Sequence, residues 1–199
     1  MNVDRERLMW GELIRDSFLR PRVAARRVLA IDLSMSFLLQ AAVLVTIVGM
    51  VLGFAAFRVA PEAIDQVSAT VLSSPLAGAL MQLAAMVVVV FLAARVGRLF
   101  GGTGRLRGAL ALVVWLNAMM VLLQAVQLVA LMVLPAMAAA VAIMSIVWVL
   151  YAFASFVAEL HGFRNAAVVL AGVLATSVVL MLGAAMLAAI LGFVPQEIS

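Results

Sequence analysis

GALALVVWLNAMMVLLQAVQLVALMVLPAMAAAVAIMSIVWVLYAFASFVA, residues 108–158, runs for 51 residues without a charged side chain, and its one proline, Pro135, falls near the middle. A water-soluble core has no use for an apolar run of that length. A bilayer does, because roughly 20 apolar residues at 1.5 Å each cross its ~30 Å hydrocarbon core. Two spans joined by a tight turn at Pro135 account for the run.

The rest of the chain reads the same way. Of its 199 residues, 68% are hydrophobic and 11% charged, far from the balance of a soluble domain. Cysteine is absent, which excludes disulfides, thiolate metal sites and a cysteine nucleophile. A single histidine excludes any centre built on two imidazoles. Neither composition nor motif implies a cofactor.

The net charge of +4 comes from 13 arginines against 9 acids, without lysine. Arginine used to the exclusion of lysine fits a GC-rich, bacterial genome. The arginines flank apolar runs, which favours anionic lipid head groups over nucleic acid as partners.

Five spans are expected, at about 33–57, 76–94, 109–134, 136–158 and 166–191. This is an all-α, polytopic membrane bundle. In residues 1–30, Trp10, Ile14 and Phe18 recur every fourth position beside Leu13, with Glu12, Arg15 and Asp16 on the complementary face. That pattern predicts a short amphipathic helix in the bilayer interface. Pro21 ends or kinks it, and a basic cluster leads into the first span. Residues 31–192 form the membrane domain and 193–199 a short tail.

Arginine placement orients the bundle. Seven arginines precede the first span, four lie between the second and third, and Arg164 follows the fourth; Arg58 alone falls on the other side. The positive-inside bias then puts the N-terminus in the cytoplasm and the C-terminus outside, in a bacterial inner membrane. Arg22, Arg26, Arg27, Arg105 and Arg107 are the expected head-group contacts.

Few polar residues lie at depth. Asp32 opens the first span, and Ser36 and Gln40 follow at four-residue spacing on one helix face, expected to pack inward. A carboxylate at the membrane centre would cost roughly 2.5–3.5 kcal/mol. At the edge the cost falls, and Arg26 or Arg27 is the expected partner, in preference to a role as ion carrier. Asn117, Gln124 and Gln127 fall within an arc of about 80° on the third span. They either line a polar path or bond to neighbouring helices, with Gln82, Thr176 and Ser177 as candidate partners. No charged residue joins them at depth, which favours helix–helix bonding. Gly49 with Gly53, Gly172 with Thr176, and Ala184 with Ala188 are small-residue pairs suited to close helix approach.

Gly101-Gly102-Thr103-Gly104-Arg105 lacks the ending and the preceding strand of a nucleotide loop, and reads as a flexible turn. Glu159 and His161 read as a solvated loop pair rather than an acid–base couple. No hydrolase elbow or metalloprotease motif occurs.

Three features resemble the Yip family (Ypt/Rab-interacting proteins) in its bacterial branch. They are Arg20-Pro21-Arg22 with Ala24-Ala25-Arg26-Arg27 before the first span, Gly101-Gly102-Thr103-Gly104 followed by Ala109-Leu110, and the closely coupled spans around Pro135. The resemblance implies a five-span integral membrane protein with a cytoplasmic N-terminus. Eukaryotic members are linked to membrane traffic, Rab GTPases and organelle shape; they carry a longer cytoplasmic segment with an acidic-aromatic motif, which this sequence lacks. The bacterial branch implies no defined reaction. The function expected is a non-enzymatic scaffold or membrane-organising protein that associates with itself or with other membrane proteins. The alternative is a small transporter or channel using the polar face of the third span.

Overall fold

The computed structural model describes residues 3–61 and 73–190. The tail 193–199 and the side chains of Ala184 and Ala188 lie outside the residues and side chains described. Seven helices follow one another: α1 (Val3–Leu19), α2 (Pro21–Ala30), α3 (Met35–Val59), α4 (Pro75–Leu99), α5 (Leu106–Val133), α6 (Pro135–His161) and α7 (Ala166–Ile190). No strand occurs among the described residues. The last five are long and apolar enough to cross a membrane. At the arginine-rich end three of them run three to five residues past the expected boundary, to Leu99, Leu106 and His161, because helix continues into the polar flanks that hydropathy marks as outside.

Local chemistry explains the breaks. Pro21, Pro75 and Pro135 each stand at the start of a helix, where the missing N–H costs nothing. The α3 N-terminus is capped by Ser34 Oγ, which accepts from Phe37 N at 3.1 Å. α4 and α6 both end on glycines with positive φ, Gly101 at 83° and Gly162 at 73°. The following amides, Gly102 N and Phe163 N, donate to Gly97 O and Ala158 O at 2.9 and 2.8 Å, which closes both helix ends.

The sequence reading has one amphipathic helix before the first span; the structure has two. Pro21 ends α1 and begins α2, so the basic cluster is itself helical. α2 lies against α5 and α6 and buries Pro21, Ala24, Ala25 and Val28. Those positions fall at i, i+3, i+4 and i+7, one helix face. Alanine at the contact lets α2 approach closely. Ala24, Ala25 and Val28 join Leu13, Leu38, Ala111, Leu112, Leu116, Ala152 and Phe156 in one core cluster. A second cluster joins α3, α4, α5 and α6 through Ala42, Met86, Val90, Ala94, Val113 and Val157. Both lie in the arginine-rich half of the bundle. α5 is the hub, touching α2, α3, α4 and α6, whereas α7 leans chiefly on α6.

α1 is not a free interfacial helix. It seats Leu13, Asp16 and Ser17 on the bundle and leaves Met9, Trp10 and Leu19 exposed. The chain's other two tryptophans, Trp115 and Trp148, meet α1 residues. Trp10 stacks on Trp115 at 6.3 Å, Trp115 Nε1 donates to Ser17 Oγ at 2.9 Å, and Phe18 meets Trp148 at 4.8 Å. Tryptophan favours the headgroup level of a bilayer. α5, with 28 residues, is about 42 Å long and exceeds the ~30 Å hydrocarbon core, so its arginine-rich end has room to carry the α1–α2 layer.

Candidate functional site

The arginine-rich end of the bundle is organised by His161. The last turn of α6 drives this residue under the α4–α5 loop, where it is 4% exposed. Gly104 N donates to His161 Nδ1 at 3.1 Å, so Nδ1 is the bare nitrogen. Nε2 then carries the proton and faces Ala93 O at 2.8 Å. A Cβ at Gly97, Gly102 or Gly104 would fall less than 3.0 Å from imidazole atoms, closer than real Cβ contacts. The glycine run is therefore no flexible turn. Its missing side chains make the cradle for the imidazole, and Arg98 Nε ties the loop further by donating to Gly104 O at 2.9 Å.

Glu159 is not a solvated partner of His161. It lies two residues earlier on α6 and points to α2, where its carboxylate takes Arg26 Nε at 2.8 Å and Arg22 Nε at 3.4 Å. The Glu159 side chain is 14% exposed, so the pairing works in a partly desolvated setting. Arg26 is held above its already high arginine range by the hydrogen bond to Glu159 and then by that charge. Arg22 also donates to the carbonyls of Phe163 and Arg164, at 2.7 and 2.8 Å. Arg27 pairs with Asp16 and Glu12 at 3.2 and 3.3 Å and thereby joins α2 to α1.

Asp32 takes Arg107 at 2.9 Å, not Arg26 or Arg27. Arg107 also donates to Leu33 O, from Nε at 2.8 Å and from its terminal amino group. The Asp32 side chain is 93% exposed, and Ser36 and Gln40 are exposed with it. That face turns outward, contrary to expectation. Leu38, Ala42 and Thr46 make the inward stripe of α3 instead. Four of the five expected head-group arginines thus hold the chain's own groups, while Arg105 is exposed at the start of α5.

The three amides of α5 part company. Asn117 Nδ2 donates to Val113 O at 2.9 Å, and its Oδ1 lies 3.5 Å from Gln82 Nε2 on α4. Gln124 faces α3 near Gly49, with Oε1 buried and unbonded among the described residues. Gln127 is half-buried and, among the described residues, adds no bond that would extend a polar path. Thr176 and Ser177 do not reach the amides; they donate to Gly172 O and Val173 O within α7. Gly49 does meet a neighbouring helix, but a Cβ at Gly172 would meet nothing within 4 Å. The close approach expected there is replaced by a cleft of about 1040 Å³ that α4, α5, α6 and α7 share.

The family model of the Yip1 domain matches residues 15–188. The chain belongs to the Yip1 domain family. The match takes in α2, the docked end of α1 and nearly all of the five apolar helices, so the His161 cradle and the Glu159 clamp both lie inside a Yip1 domain. No curated protein and no solved structure matches the chain. As a Yip1 protein with five apolar helices, it is an integral membrane protein.

Proposed function

We propose that this Yip1 protein is a non-enzymatic membrane-organising scaffold that bends the leaflet facing its arginine-rich end. The carrying observation is the docked α1–α2 layer. It adds two helices to one end of the bundle, and among the described residues the other end has no such layer. Amphipathic helix held at one interface expands that leaflet alone, which favours convex curvature on that side. The exposed Met9, Trp10 and Leu19 extend the apolar contact, and the exposed Arg15, Arg20 and Arg105 meet anionic head groups.

In this reading the arginine-rich end is cytoplasmic, the C-terminus is outside and the membrane is a bacterial inner membrane. The arginine asymmetry supports that orientation. A non-enzymatic role is favoured because the two groups closest to an acid–base pair are both engaged structurally, Glu159 by two arginines and His161 by two backbone groups. A transporter is less favoured. Asn117 bonds within α5 and lies at the edge of bonding range from Gln82, and Gln124 faces α3, so the amides do not form one lining.

Electron cryomicroscopy of vesicles holding the full chain tests the proposal. High protein density should draw out tubules or narrow vesicles, and Trp10→Glu should reduce them. Unchanged morphology with the wild-type chain would end the reading.

A further inference from the structure

The cleft between α4 and α7 is lined unevenly. Phe100, Phe163, Arg164 and Asn165 stand at its arginine-rich mouth, and apolar side chains such as Val89, Val96, Phe153 and Val169 form its walls. Gln82, Asn117, Thr176 and Ser177 close its far end. From Ala166 to Ser177 the α7 wall is about 17 Å long, close to half of a ~30 Å hydrocarbon core. The cleft is therefore about one leaflet deep, apolar along its length and cationic at its surface.

Charge at the mouth selects the occupant. Glu159, the nearest acid in sequence, is turned away to Arg22 and Arg26. The Arg164 guanidinium has no ion-pair partner among the described residues, and its own carbonyl is held by Arg22, which fixes the backbone at the mouth. Asn165 Oδ1 accepts from Ala167 N at 2.9 Å, so the start of α7, with its favourable partial charge for anions, opens at the same place.

We propose that this cleft binds one anionic phospholipid of the arginine-rich leaflet, its phosphate at Arg164 and an acyl chain along the walls to the Gln82–Asn117 floor. The proposal deepens the reading of lipid as partner. It stands apart from membrane bending, because α1 does not line the cleft. A second transmembrane helix is the competing occupant, but it would bring no anion to Arg164.

Native mass spectrometry tests it on the full chain released from vesicles of phosphatidylglycerol and phosphatidylcholine in equal amounts. The wild type should retain one phosphatidylglycerol, in about fivefold preference over phosphatidylcholine. Arg164→Ala should remove the preference, while Arg58→Ala, at the opposite end of the bundle and outside the cleft lining, leaves it intact. Gly172→Leu should lower retention of both lipids, since a side chain there points into open space and fills the cleft without disturbing a neighbour. Thermal unfolding in phosphatidylcholine confirms that each variant is folded. Equal retention of the two lipids by the wild type would overturn the proposal. So would a preference that survives both Arg164→Ala and Gly172→Leu, or a dimer that carries no lipid.

Discussion

His161 on α6 accepts a hydrogen bond from the Gly104 backbone N–H, 57 positions earlier, and that bond pins the α4–α5 loop to the end of α6. Removing the imidazole leaves a void among three glycines, takes the partner from Gly104 N, and takes from Ala93 O a contact additional to its place in the α4 helix. His161→Ala should therefore cost about 2–4 kcal/mol. A fall in the detergent unfolding midpoint measures it. Gly102→Ala should destabilise through overpacking, by about 1–3 kcal/mol, because its Cβ collides with the ring.

Glu159 is the hinge pin of α2. Glu159→Gln keeps the shape but removes the charge that engages Arg22 and Arg26. The loss of stability should be modest, because water screens the exposed Arg26 end of the pair. The chain has no cysteine, so a label at Ala30→Cys reports the position of α2 without background. The label should gain mobility in Glu159→Gln and stay restrained in the wild type.

Ser17→Ala deletes the acceptor of Trp115 Nε1 at a fully buried position. It should loosen α1 by about 1 kcal/mol. Proteolysis near Leu19 should then quicken, with the five spans unaffected.

Gln124→Leu should be neutral or mildly stabilising, because its buried Oε1 has no hydrogen-bond partner among the described residues. A substantial loss of stability would mean that the amide has a partner that α3 and α5 do not supply.

Much of this architecture is legible in the chain. The uncharged run 108–158 dictates the α5–α6 hairpin, and proline placement dictates where α2, α4 and α6 begin. The i, i+3, i+4, i+7 spacing of Pro21, Ala24, Ala25 and Val28 carried the signal for α2. It was masked by the arginines between them and by the weak hydropathy of alanine. Arg26 and Arg27 are the nearest arginines to Asp32 in sequence, and proximity along the chain favours them as its partner. Folding brings Arg107 closer, by placing the start of α5 beside the start of α3. His161 hid for the same reason. Its partners sit on α4 and the following loop, far along the chain, and glycine announces a missing side chain without naming what fills the space.

The sign of curvature preference tests the central claim most directly. Full-length protein is placed in giant vesicles in a known orientation, and its density is compared between the flat membrane and a thin pulled tether. With the arginine-rich end on the outer, convex surface, the protein should concentrate in the tether, and Trp10→Glu should reduce that enrichment. With the orientation reversed, it should be depleted there. Equal density in tether and flat membrane in both orientations would contradict the account.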